Sequence, residues 1–102
     1  MQIQTDAEGY LVEPEDWNED VAKELAKREN IELTDEHWEA MNYMRSYLQQ
    51  HKVAPDVRHV MKHLSQALGS GRNRVFELFP YGYVQQACKV AGMRRPRAWS
   101  TG

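Results

Sequence analysis

Cysteine is nearly absent from this 102-residue sequence: Cys88 stands alone. One thiol excludes an internal disulfide and any zinc site built on paired cysteines, and it suits a reducing compartment. No apolar run approaches the ~20 residues of a membrane helix, so no membrane partner is expected. The opening "MQIQTDAEGY" has neither the basic start nor the apolar stretch of a secretory signal, and the expectation is a cytoplasmic protein. There is no glycine-rich phosphate loop and no Ser/His/Asp set, so no self-contained active site, cofactor or metal is expected. Acidic residues stop at Glu77, and beyond it Lys89, Arg94, Arg95 and Arg97 cluster.

The charge that is present is unevenly placed. Residues 1–40 balance to -10 and residues 41–102 to +8, which together give the net -2. Such a split points to a positive working face or to an internal contact between acidic and basic halves. The length fits one domain that needs no covalent staple.

Periodicity predicts a mainly α fold, a small bundle of about five helices behind an N-terminal β-hairpin. "IQTDAEGYLV" reads as the hairpin, with turn residues between β-type flanks. "PEDWNEDVAKELAKREN" repeats Trp17, Val21, Ala22, Leu25 and Ala26 at helical spacing, with Asn30 as its stop. Thr34 is the expected N-cap of the second helix, whose apolar stripe runs through Trp38, Met41, Met44, Tyr47 and Leu48. Pro55 is placed to begin a third helix and Gly69 to end it. "RNRVFELF" and "YVQQACKVA" follow as short helices ended by Pro80 and Gly92. Residues 1–92 then form the domain and residues 93–102 a flexible arm.

Three features invite a chemical reading. His59 and His63 lie four apart, but "HVMKH" lacks the glutamate of a zinc protease and a third ligand, so a solvated helix face is expected. The corner formed by residues 55–79 carries Arg58, Lys62, Arg72 and Arg74 and has the outline of a helix-turn-helix, which would bind nucleic acid. An ordinary basic corner is preferred, because Phe76, Leu78 and Phe79 leave few positions free to read bases. Cys88 shares a helical face with Val84 and Ala91, as a structural cysteine would. The four nearby cations argue instead for a reactive thiolate, and the residues alone leave both readings open.

The segment "LFPYGYVQQACKVAGMRRP" resembles the C-terminal signature of the DsrC/TusE family of sulfur-relay proteins, which includes the gamma subunit of dissimilatory sulfite reductase. "DAEGYL", "DWNEDVAKELAKRENIELTDEHWE", Arg45, Pro55 and Arg58 extend the likeness along the whole chain. The resemblance implies a small helical cytoplasmic protein. Its C-terminal arm would carry sulfur as a persulfide to partners such as a sulfite reductase, a sulfurtransferase or the tRNA-thiolation proteins. By the same resemblance Cys88 corresponds to the proximal cysteine of the family, while Trp99 stands where the distal cysteine belongs. Tyr83 and Arg94 replace prolines usual in the motif. Sulfur held between two cysteines is therefore not expected here.

Three roles follow: Cys88 as a sole persulfide carrier, a docking paralogue without chemistry, or a nucleic-acid module. The reading adopted is a sulfur-relay protein that docks its arm into protein partners and carries persulfide sulfur, if any, on Cys88. Lys89, Arg94, Arg95 and Arg97 would steer the arm, and Trp99 would anchor it.

Overall fold

The computed structural model describes residues 3–69, 71 and 73–94. Five α-helical segments follow one another: α1 (Glu19–Arg28), α2 (Asp35–His51), α3 (Val57–Leu68), α4 (Arg74–Leu78) and α5 (Cys88–Val90). A 3-10 turn, Pro14–Asp16, precedes α1, and a π-helical turn, Tyr83–Ala87, runs directly into α5.

The ends of these helices follow from their caps. The Asn18 side chain accepts the Val21 N–H, Glu19 and Asp20 occupy the first turn of α1, and Lys27 and Arg28 the last, as the helix dipole favours. Thr34 is the N-cap of α2, but the residue answering it is His37 rather than a glutamate. In α3 the cap is Asp56, whose carboxylate accepts the Arg58 N–H at 2.7 Å. Pro55 therefore precedes the helix by two residues instead of starting it, and it is buried. Gly69 ends α3 in the left-handed region at φ 67°.

The expected β-hairpin is absent: no strand forms among the described residues. Thr5 and Leu11 make one isolated antiparallel bridge, flanked by backbone bonds from the Asp6 N–H to the Tyr10 carbonyl and from the Val12 N–H to the Gln4 carbonyl, and the Asp6 side chain adds to them. Its carboxylate accepts the N–H groups of Glu8 (2.9 Å) and Tyr10 (3.0 Å), closing a turn. Tyr10 and Leu11 are both buried although adjacent, which breaks the in–out alternation a strand requires. Pro14 then opens the 3-10 turn.

Burial defines one main core. Ala22 and Ala26 of α1, Ala40, Met41 and Met44 of α2, Val60 and Leu64 of α3, and Val75 and Leu78 of α4 surround Phe79, Ala87, Cys88 and Val90. Helix α2 packs on α3, both pack on α4, and α1 packs on α5. The short final segment is thus laid into a socket made by the rest of the chain. No helix among the described residues is long and apolar enough to cross a membrane.

Candidate functional site

A helix ends with carbonyl groups that have no partner within it, and a segment as short as Tyr83–Val90 is nearly all ends. Side chains from the first half of the chain supply the missing donors. The Tyr10 hydroxyl donates to the Val84 carbonyl at 2.9 Å, and the Trp17 indole N–H to the Val90 carbonyl at 3.0 Å. Arg45 reaches further: one terminal nitrogen donates to the Ala91 carbonyl at 2.8 Å, and the other to the Pro14 carbonyl at 2.8 Å. Its guanidinium also lies 4.4 Å from the centre of the Trp17 ring. Burial holds the Arg45 pKa below its ordinary value, so the charge sits in a partly dry environment.

Gly92 ends the segment at φ 73°, with the Trp17 ring against its backbone: a Cβ there would lie 2.1 Å from Trp17 Cδ1. The Met93 N–H donates to the Cys88 carbonyl at 3.0 Å, and Met93 is buried while Arg94 is exposed. The root of the tail is therefore pinned by Trp17, Arg45 and Gly92.

Cys88 lies at the junction of the π turn and α5, with no exposed surface. Its N–H bonds the Tyr83 carbonyl five residues back, and the Ala87 N–H bonds the Gly82 carbonyl in the same register. An i→i+5 register brings residues five apart to one side of the helix. Tyr83 and Cys88 consequently face the core together, and Val84, which α-helical spacing pairs with Cys88, is left partly exposed. Burial pushes the thiol pKa up to about 12, and the Tyr83 hydroxyl beside it offsets this only in part. Burial likewise raises Tyr83 far above its ordinary value. Its hydroxyl donates to the Pro55 carbonyl at 2.5 Å.

The remaining predicted site residues are scattered. Lys89 is only partly exposed; its Nζ lies 3.5 Å from Glu29 Oε2 and 5.2 Å from the centre of the Tyr10 ring, tying α5 to α1. Arg94 is exposed. The Glu15 carboxyl is held below its ordinary pKa by a backbone N–H, then by Glu13, and then by the charge of Arg94. Arg95, Arg97, Trp99 and Arg72 lie outside the described residues.

In the basic corner, two of the described cations are paired with carboxylates. Arg58 pairs with Asp56 at 2.8 Å, and Arg74 pairs with both Glu36 and Glu77. Lys62 is exposed. These carboxylates offset the charge that phosphate binding would use, and the nucleic-acid reading is not favoured.

Of the histidine pair, His59 is exposed and His63 partly exposed. His63 Nε2 lies 2.6 Å from Glu39 Oε2 and its ring stacks on Tyr43, while His59 lies beside Tyr47. Among the described residues no three metal-binding side chains converge.

Sequence reasoning missed His37 and the task of Arg45. His37 is buried; its Nε2 lies 2.8 Å from the Leu78 carbonyl, and its Nδ1 accepts the Thr34 N–H at 3.0 Å. A carbonyl only accepts, so the proton is on Nε2 and the ring is neutral. Burial lowers its pKa accordingly. The signal for Arg45 was its place on the α2 stripe between Met44 and Leu48, where a charge must find buried partners.

The family model described as DsrC like protein matches residues 1–98 of this chain. Sulfurtransferase TusE of Sodalis glossinidius (strain morsitans) is 42% identical over 98 residues, which span 93% of this chain and 91% of that protein. Among solved structures, the oxidized gamma-subunit of the dissimilatory sulfite reductase (DsrC) from Archaeoglobus fulgidus is similar with a TM-score of 0.87 and 36% identity. That similarity covers 94% of this chain and 90% of that one. A chain in the crystal structure of dissimilatory sulfite reductase I (DsrI) has a TM-score of 0.80 and 28% identity, covering 94% and 89%.

Proposed function

This chain belongs to the DsrC-like family, and from that premise we propose that it is a cytoplasmic sulfur-relay protein whose C-terminal arm docks into protein partners of sulfur metabolism. The observation that carries the proposal is the built root of the tail. Trp17, Arg45 and Gly92 fix the point from which the chain departs, and the first residue beyond it, Arg94, is exposed and cationic. A fixed root and a basic tip are what directed insertion into a partner requires. Arg94, Arg95 and Arg97 would steer the approach through their charge, and Trp99 would anchor it in an apolar recess. Relatives that share the fold over nearly their whole length are named as a sulfurtransferase and as a sulfite reductase gamma-subunit, which supports partners of these classes.

Sulfur carriage falls to Cys88, the only thiol in the chain. Its thiolate would attack the outer sulfur of a partner's persulfide. A new S–S bond forms on Cys88 as the partner's S–S bond breaks, and the partner departs as a thiolate, with no net oxidation. Cys88 has no exposed surface and burial disfavours its thiolate, so carriage requires the last segment to open. Complete burial of Cys88 supports a second reading, a docking paralogue without sulfur chemistry.

Intact-mass analysis after incubation with a persulfide-loaded sulfurtransferase separates the two. One added sulfur atom on the parent chain, absent from Cys88→Ser, supports carriage. Binding to that sulfurtransferase without added sulfur leaves docking alone. Unchanged binding after charge reversal of Arg94, Arg95 and Arg97 would refute docking through the arm.

A further inference from the structure

Two ends of one hydrogen bond lie in very different surroundings. At the inner end, Tyr83 is buried beside the fully covered Cys88, on the side of the segment that the π turn directs into the core. At the outer end, the accepting carbonyl belongs to Pro55, in the loop joining α2 to α3. That loop borders an open cavity of about 320 Å³ lined by Tyr47, Val53, Ala54, Asp56 and His59. Val53 is 56% exposed, which is unusual for its side chain. The surface of the protein is therefore one residue away from the bond that secures the thiol's cover.

Two side-chain hydrogen bonds join the turn to distant parts of the chain, from Tyr83 to the Pro55 carbonyl and from Tyr10 to the Val84 carbonyl. Gly82 precedes it at φ 104°, with open space where a Cβ would stand, and its carbonyl receives both the Gln86 and the Ala87 N–H groups. Gln86, also buried, accepts the Tyr81 N–H at 3.1 Å. Between the turn and the α2–α3 loop, the Tyr83–Pro55 bond is the connection the structure records.

We infer that Tyr83 is a latch: its hydroxyl, held by the Pro55 carbonyl, keeps Cys88 closed, and the thiol is reached by release of the Tyr83–Ala87 turn and not by unfolding of the domain. The inference deepens the sulfur-relay reading, on which its biological use rests, by assigning a positioning residue that controls access to Cys88. Displacing the α2–α3 loop, as a docked partner would, removes the acceptor and frees the turn. Tyr83→Phe keeps the ring and removes the donor.

The test is the rate at which an aromatic disulfide reagent modifies Cys88 in the full chain, measured across sub-denaturing urea concentrations. Local opening gives a rate nearly independent of urea, whereas opening by global unfolding rises with the full slope of the unfolding transition. Tyr83→Phe is expected to react at least ~10-fold faster than the parent, the factor by which losing one buried hydrogen bond shifts an opening equilibrium. Leu25→Ala, in the separate cluster that Leu25 forms with Leu11 and Val21, controls for stability loss.

The latch is refuted if the parent's rate follows the global slope, or if Leu25→Ala reacts as fast as Tyr83→Phe at equal stability. Faster labelling of Tyr83→Phe together with failure to accept sulfur would leave the latch standing and remove the sulfur-relay reading.

Discussion

Replacing Gly92 with alanine tests the root of the tail most directly. The added Cβ would meet Trp17 at 2.1, 2.6 and 2.9 Å from Cδ1, Cγ and Cβ, distances that no flexible side-chain tip can relieve. Two costs follow. Holding an alanine at φ 73° costs about 1 kcal/mol, and forcing the indole aside costs roughly 1–3 kcal/mol as overpacking. A displaced indole also forfeits its bond to the Val90 carbonyl and its contact with Arg45, together worth about 1–2 kcal/mol. The expected loss is about 3–6 kcal/mol, or roughly 15–30 °C in Tm for a domain of this size.

Urea unfolding followed by circular dichroism measures the loss, and a double-mutant cycle with Trp17→Ala separates its parts. In that background the two contacts with the indole are gone and only the 2.9 Å approach to Cβ remains, so Gly92→Ala should cost the backbone share and a small residue of the clash, about 1–2 kcal/mol. A loss below about 1 kcal/mol in the parent, or equal losses in both backgrounds, would refute the steric account.

Two further outcomes follow from the same geometry. Arg45→Met keeps the apolar stem but abandons the Pro14 and Ala91 carbonyls, and should lower stability by about 2–4 kcal/mol; Arg45→Lys should recover little, because an ammonium lacks the fork that spans both. Chemical denaturation of the two variants checks this. His37 is neutral when folded and its pKa is lowered, so the unfolded state binds the extra proton. Its contribution is full above the ordinary histidine pKa of about 6.5 and is lost as pH falls from there through the folded value, with a slope of at most ~1.4 kcal/mol per pH unit. Melting curves between pH 7 and 5 should show this fall in the parent and a flatter profile in His37→Gln; equal slopes would contradict the assignment.

Much of the scaffold was legible because local signals and burial agree. The stripe of α1, Asn30 and Gly69 at helix ends, and Gly92 as the final stop all behave as their residue types dictate. In the N-terminal segment the pairing stops at a single bridge with its flanking backbone bonds, and burial of the adjacent Tyr10 and Leu11 breaks the alternation that would extend it into a hairpin. Thr34 was identified as a cap, but its partner His37 reaches across to the Leu78 carbonyl, a relation without local pattern. Helical spacing also matched Cys88 to Val84, and the i→i+5 turn replaced that neighbour with Tyr83. No residue signature announces such a turn; it arises where Tyr10 supplies the donor that the Val84 carbonyl lacks. The family resemblance is carried by the order and spacing of motifs along the whole chain.

The donors that complete the final segment come from Tyr10, Trp17 and Arg45, at separations of 74, 73 and 46 residues from the groups they serve. Contacts so distant along the chain demand large loop closures before they return any free energy, and they slow folding accordingly. As the polypeptide emerges during synthesis, the socket can assemble before its occupant has left the ribosome. Cys88 is thus among the last groups to find its place, and until then the nascent protein carries a bare thiol.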